Sequence, residues 1–267
     1  MSRTTLVLLP GLDGTGDLFA PVVDALGPSV PTQIVRYPLS DASDYATCEA
    51  IARAALPTDR SYVLLGESFS GPIAVSIAAT APPGLGGLIL CSTFVCNPQP
   101  YLRPLRSLLS ILPVRSAPVC VSRFLILGGF ATRALRNLHQ QTLARLPATT
   151  VRERLRTILE CDVSAALANV HVPVLCLTAK HDRLIPNAAA HLIHHHAPAA
   201  TMVEIDAPHF LLQCRPSDAA DAIRMFLQQF DPSHGDYTAD RDRIVGNPTV
   251  DDLMGELEQR RQSPSGK

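Results

Sequence analysis

No apolar run in the sequence approaches the roughly 20 residues needed to cross a bilayer, so no transmembrane helix is expected. Charge is scarce: Asp, Glu, Lys and Arg make up 18% of the 267 residues, and the net charge is −1. Nothing global therefore attracts the chain to nucleic acid or a membrane surface, and any charge argument must be local. The opening stretch MSRTTLVLLPG lacks the long apolar region and small-residue cleavage site of a signal peptide, and reads instead as a first strand. Internal repeats are absent. The seven cysteines (48, 91, 96, 120, 161, 176, 214) are odd in number and follow no disulfide or metal spacing. Cys91 and Cys176 sit in strand-like runs, where a thiol acts as a small apolar side chain. A reduced, cytoplasmic setting is the expectation.

What is present is a long, apolar, globular chain. At 46% hydrophobic residues it can bury a sizeable core, as one large domain or a core with an inserted piece. Short runs rich in Val, Ile and Leu at Thr5–Leu9, Gln33–Tyr37, Tyr62–Leu65, Leu88–Cys91, Val174–Thr178 and Met202–Ile205 alternate with helical patterns near 44–56, 69–80, 187–196 and 216–230. Nearly continuous apolar runs suit strands buried on both faces of a parallel sheet, so the fold class expected is α/β, doubly wound.

One interval breaks the rhythm. From Phe94 to Glu160 no strand pattern occurs, only helical stretches separated by Pro98, Pro104, Pro113, Pro118 and Pro147, the pattern of a helical cap inserted into the sheet. Its ten arginines, among them Arg103, Arg106, Arg115, Arg123, Arg133 and Arg136, face only Glu153 and Glu160, so it carries +8 while the rest of the chain carries −9. Such a patch is either a solvated surface with its stems packed on apolar groups, or a dock for an acidic partner. The apolar FLILGGF (124–130) in the same interval suits a pocket for an acyl chain. After Phe230, residues 231–248 read as a polar linker. Residues 249–261 read as a short amphipathic helix that packs on its own body or associates with a second copy, and 262–267 as a disordered end. The core is then 1–93 with 161–230, and the cap 94–160.

The chemistry centres on YVLLGESFSGPIAVSIAAT, residues 62–80. An apolar strand passes through Gly-Glu-Ser-Phe-Ser-Gly straight into a small-residue helix, and Gly66, Ser70 and Gly71 leave room for a sharp bend that exposes the hydroxyl of Ser68. A serine needs a base, and the base needs an orienting acid. LCLTAKHDRLIP places Asp182 just beyond a strand, and MVEIDAPHFLLQ places His209 just beyond the last one. All three then share the carboxyl edge of one parallel sheet. LLPGLDGTGDLF follows the first strand with three glycines, and the amides of Leu12 and Phe69 are the expected oxyanion donors. Its G-x-x-G-x-G spacing and the absence of an acid after the second strand argue against a dinucleotide site. His191, His194, His195 and His196 read as a solvated helix end rather than a metal site. Asp162 is an alternative acid, ranked below Asp182. Glu67, next to the nucleophile, reads as outward-facing or as a hydrogen-bonding support behind the site, ahead of a role in tuning it.

On these motifs the chain resembles the α/β-hydrolase superfamily over about residues 4–230. The elbow lies at Gly66–Ser68–Ser70, the acid at Asp182 and the base at His209. The resemblance implies a mostly parallel sheet of about six strands with helices on both faces, the first two strands of the fold absent, and a lid inserted after its sixth strand. In place of the usual His-Gly before the oxyanion residue stands Pro10-Gly11, and the last glycine of the elbow is Ser70. Members with an Asp nucleophile are argued against by Ser68. A serine implies hydrolysis of an acyl ester or thioester through an acyl-enzyme, with no metal or organic cofactor. The basic cap is similar to that of pimeloyl-acyl-carrier-protein methyl ester esterases, which implies an acidic acyl carrier protein as a possible partner. Transfer, lyase chemistry and ligand binding without catalysis are the other uses of the fold.

Overall fold

The computed structural model describes residues 4–39, 44–104 and 124–230. Arg106, Arg115, Arg123 and the whole of 231–267, including the expected amphipathic helix, lie outside the described residues.

Six strands form one sheet in the order β2-β1-β3-β4-β5-β6, every neighbouring pair parallel. They are β1 (Thr5–Leu9), β2 (Thr32–Ile34), β3 (Tyr62–Glu67), β4 (Leu85–Cys91), β5 (Val174–Ala179) and β6 (Thr201–Ile205). Val7 and Leu9 of β1 point into one core, with Leu64 of β3 and Phe69, Ile73 and Ile77. Leu6 and Leu8 point into the other, with Val63, Leu65 and Ile89. Burial on both faces explains why these strands read as continuous apolar runs rather than alternating ones.

Helices α1 (Ala20–Leu26), α2 (Tyr45–Ala54) and α3 (Gly71–Ala78) follow the first three strands. The segment between β4 and β5 holds α4 (Arg133–Arg145), α5 (Ala148–Glu160) and α6 (Ser164–Leu167), with no strand among its described residues. Then come α7 (Asn187–His196), α8 (Leu211–Cys214) and α9 (Pro216–Gln228). The expected helices at 187–196 and 216–230 are found to within two residues.

Two differences from expectation have physical causes. The second strand, expected at Gln33–Tyr37, ends at Ile34. Being an edge strand, it leaves the sheet to meet the loop after β1, where the Tyr37 amide donates to the Gly14 carbonyl at 2.8 Å. Helix α1 is short, and its seven residues between Phe19 and Gly27 are too few for a clear helical period.

The sheet order places the site. From β1 the chain crosses outward to β2, and from β3 onward it proceeds the other way, so the loops after β1 and β3 diverge and leave a crevice at their carboxyl ends. Leu9 pairs with Gly66, which sets the Pro10–Leu12 loop beside Glu67 and Ser68.

Candidate active site

The bend after β3 is tight because its neighbours are small. A Cβ on Gly66 would lie 2.6 Å from the Ser70 carbonyl oxygen, and one on Gly71 would collide with the Thr93 side chain. Ser68 itself takes φ 48°, a left-handed conformation that costs a non-glycine residue about 1–2 kcal/mol. Hydroxyls brace the turn. Thr93 Oγ1 donates to the Ser68 carbonyl, Ser70 Oγ donates to the Pro10 carbonyl, and Tyr37 Oη lies 3.0 Å from Ser70 Oγ. Ser70, where the superfamily elbow carries glycine, thus fastens the elbow to the loop after β1.

Ser68 Oγ lies 2.9 Å from His209 Nε2, and His209 Nδ1 lies 2.7 Å from Asp182 Oδ2. The other Asp182 oxygen accepts the amides of Leu184 and Ile185 at 2.8 and 2.9 Å, which fixes the carboxylate plane. The loops that carry acid and base are tied together, since the His181 amide donates to the Ala207 carbonyl at 2.9 Å. The side chains of His209 and Asp182 are only 7% and 5% exposed, so their contact is shielded from water.

The loop after β1 forms the facing wall. A Cβ on Gly11 would lie 3.9 Å from Ser68 Cβ. Of the two residues expected to supply oxyanion amides, Leu12 lines the cavity beside Ser68 and Phe69 follows Ser68 in the bend. The loop is held from behind by Arg154 of α5, which is fully buried. Its guanidinium donates to the Leu12 carbonyl at 2.6 Å and the Pro38 carbonyl at 3.0 Å, and lies 5.7 and 5.9 Å from the ring centroids of Phe69 and Tyr37.

Two buried carboxylates stand close by. Asp13 accepts from the amide and hydroxyl of Thr15, and burial pushes its carboxyl above the ordinary range. Glu67 accepts from Gln213 Nε2 at 2.8 Å. Burial pushes Glu67 up to about 7; the Asp13 charge adds to this, while Gln213, His209 and the Gly11 amide oppose it. Burial disfavours protonated His209, but the charge and hydrogen bond of Asp182, together with the charge of Glu67, outweigh it and hold the imidazole above its ordinary value.

This predicts a pH effect. Because a base must be neutral to accept a proton, a raised imidazole pKa places the acid limb of kcat/KM above pH 6.5. Glu67→Gln removes a charge that favours imidazolium, so the limb is expected to move to lower pH. A limb that stays or rises in the variant would contradict the coupling.

The hydroxyl of Ser68 opens into a cavity of about 570 Å³. Its walls come from the core loops and from the segment between β4 and β5, including Leu125, Ile126, Leu143, Leu146 and Leu159. Of the other residues anticipated, Arg103, Arg133 and Arg136 are exposed. Asp162 is exposed too and accepts from the Ser164 hydroxyl at 2.6 Å, whereas the carboxylate that meets His209 is that of Asp182. His191, His194 and His195 are exposed on α7. Arg154 and Gln213 were not singled out by motif, and nothing local in the sequence marks either of them.

A parallel sheet with this elbow, acid loop and histidine loop defines an α/β-hydrolase. The chain belongs to the serine aminopeptidase, S33 family of that superfamily, whose family model matches residues 41–209. It is 30% identical over 244 residues to a pimeloyl-[acyl-carrier protein] methyl ester esterase of Xanthomonas oryzae pv. oryzae, covering 84% of this chain and 94% of that one. A relative with the same description from Xanthomonas campestris pv. campestris is 28% identical over 239 residues, covering 83% and 94%. Among solved structures, a hydrolase from Oleispira antarctica superposes with a TM-score of 0.74 at 13% identity, covering 85% of this chain and 92% of that one. The chain is a hydrolase of esterase kinship. Among the described residues, no helix is long and apolar enough to cross a membrane.

Proposed function

We propose that the chain is a serine esterase that cleaves a carboxylic ester of an acyl chain through an acyl-enzyme. The observation that carries this reading is the hydrogen-bonded line Ser68–His209–Asp182, whose Ser68 and His209 line a largely apolar cavity. Ser68 Oγ attacks the ester carbonyl carbon while its proton passes to His209 Nε2, and the negative oxygen takes the amides of Leu12 and Phe69. The carbon–oxygen bond to the leaving group then breaks, with the imidazolium returning the proton to the departing alcohol. Water attacks the acyl-enzyme through the same base, releasing the acid and restoring Ser68. Asp182 keeps the imidazole in the tautomer that can accept at Nε2. The scheme draws on no metal or organic cofactor.

Within this class, a methyl ester on a carrier-bound acyl chain is the favoured substrate. Two lines support it: the relatives are described as acting on such an ester, and Arg103, Arg133 and Arg136 are exposed on the segment that walls the cavity, where an acidic carrier protein would be drawn to them. A reducing, cytoplasmic setting suits the free thiols of Cys48, Cys91, Cys96, Cys161, Cys176 and Cys214.

The test is hydrolysis of p-nitrophenyl acyl esters of two to sixteen carbons, followed by a carrier-linked methyl ester, each with wild type beside Ser68→Ala. A chain-length optimum absent from the variant is expected, together with release of the free acid when competing alcohols are present. Equal rates in both proteins would end the esterase reading, and ester products would establish transfer in its place.

A further inference from the structure

Leu125 and Ile126 wall the cavity, and the stretch that carries them, residues 124–130, is fastened to the loops of the acid and the base. Phe124 is 58% exposed, so burial does not account for its place. Arg183 holds it: Nη1 donates to the Phe124 carbonyl at 2.9 Å, and the guanidinium stacks on the phenyl ring at 4.1 Å. The Ile126 carbonyl accepts the amide of Phe210 at 3.2 Å. Gly128, at φ 51°, lets the chain pass close to the same guanidinium, since a Cβ there would lie 3.0 Å from Arg183 Nη1. The Phe130 ring meets two more side chains, 5.8 Å from the His181 ring and 5.1 Å from the Arg215 guanidinium carbon.

These partners are not scattered. His181 and Arg183 flank Asp182, and Phe210 follows His209. The two loops are also tied to each other, with His181 Nε2 at 2.8 Å from Asp206 Oδ1 and Arg215 Nε donating to the Asp206 carbonyl at 3.0 Å. None of these contacts uses a triad side chain. A strap that served only stability could be fastened anywhere on the core. This one is fastened to the two loops whose relative position sets the 2.7 Å contact of His209 with Asp182.

We propose that Arg183 is a positioning residue: by gripping the strap at residues 124–130 it holds the acid loop against the base loop, so that the triad is aligned when the strap is docked. Leu125 and Ile126 belong to the strap and to the cavity wall alike. A chain that fills the cavity therefore favours the docked strap, and with it the aligned triad. Binding and activation of the nucleophile are linked through one segment. The inference goes beyond the esterase reading and rests on it only for the chemistry that the alignment serves.

Arg183 also lines the cavity, so the test must tell alignment from binding. Arg183→Ala, Arg183→Lys and Phe124→Leu are compared with wild type, after melting curves have shown that each folds. One readout is single-turnover acylation of Ser68 by p-nitrophenyl acetate and p-nitrophenyl octanoate, resolved into limiting rate and half-saturating concentration. The other is the low-field proton resonance of His209 Nδ1–H facing Asp182, which needs no turnover and is assigned by its loss in Asp182→Asn. In Arg183→Ala the limiting rate with acetate is expected to fall about tenfold, and the resonance to broaden by exchange with water. Octanoate, whose chain packs on Leu125 and Ile126, is expected to recover most of that rate. Phe124→Leu, which keeps the carbonyl but not the ring face, should lose about threefold, and Arg183→Lys should fall between alanine and wild type. A change confined to the half-saturating concentration, with limiting rate and resonance as in wild type, overturns the positioning role. An equal loss with both esters overturns the link to cavity filling. If wild type is acylated by neither ester, the esterase reading fails and the resonance alone decides: broadened in Arg183→Ala it upholds the positioning role, unchanged it overturns it.

Discussion

Ser68→Ala is expected to lower kcat by about six orders of magnitude, and Asp182→Asn by about four, on whichever ester proves to be the best substrate. The two magnitudes differ for a geometric reason. In the proposed mechanism, removing Ser68 Oγ removes the atom that would form the acyl bond, leaving only cavity binding and the proposed oxyanion amides to act on a direct attack by water. Asn at 182 retains the shape and can still meet the amides of Leu184 and Ile185, but an amide NH₂ facing His209 Nδ1 favours the tautomer with Nε2 protonated. That tautomer donates toward Ser68 across the 2.9 Å contact instead of accepting from it. Single-turnover kinetics on a p-nitrophenyl ester check both variants, and melting curves check that they fold. Wild-type rates in Asp182→Asn would mean that another carboxylate orients the base; Asp162, exposed and capping Ser164, is poorly placed for this.

The second large effect concerns a residue that need not touch substrate. Arg154→Met preserves most of the stem and removes the guanidinium. The carbonyls of Leu12 and Pro38 then lose donors in a buried setting, at about 1–3 kcal/mol each, and the contacts with Tyr37 and Phe69 lose their cation–π share. The nearby Asp13 carboxyl also loses the positive charge that favours its ionised form; against these losses, a buried cation no longer has to be stripped of water. The balance is a destabilisation of about 2–4 kcal/mol, or roughly 5–15 °C in Tm for a chain of this size. Turnover should fall as well, by about a hundredfold, because a Leu12 carbonyl without its donor frees the Leu12 backbone torsions, and the Gly11–Leu12 amide then no longer points steadily at the developing charge. Arg154→Lys is expected to recover little, since one ammonium cannot reproduce a planar fork reaching two carbonyls. A melt and kcat within error of wild type would remove Arg154 from the architecture of the site.

How much was legible beforehand depended on whether a feature was local. β1 and β3–β5 stood out because they are apolar on both faces, and β6 as a short run with Met202, Val203 and Ile205 although its Glu204 is exposed. Ser68, Asp182 and His209 stood out because each follows such a strand at one edge, and the bend at Ser68 is written in adjacent small residues. β2 was overextended because Val35 and Tyr37 are as apolar as strand residues, and they are buried in the core with Phe69 and Ile73 although the strand has ended at Ile34. Arg154 was one cation of ten in a basic segment, and its contact with Leu12 spans 142 positions. Gln213 reaches Glu67 across 146. No period or motif encodes such pairings; the first arises only when the segment between β4 and β5 packs over the sheet edge, the second only when α8 packs beside the end of β3. Arg183 was invisible for the same reason, its contact with Phe124 spanning 59 positions.

The hydroxyls around the bend bear on how the protein responds to temperature. Ser70 and Thr93 lock the Pro10 and Ser68 carbonyls, and Tyr37 closes on Ser70 from the far side. A loop cross-braced in this way has few torsions left to freeze when charge builds on the substrate oxygen, so its orientational entropy is surrendered while the chain folds and not again at each turnover. The barrier of the acylation step should then be mainly enthalpic, with an activation entropy near zero, whereas loosening the brace at Ser70 would carry an entropic penalty into every catalytic cycle.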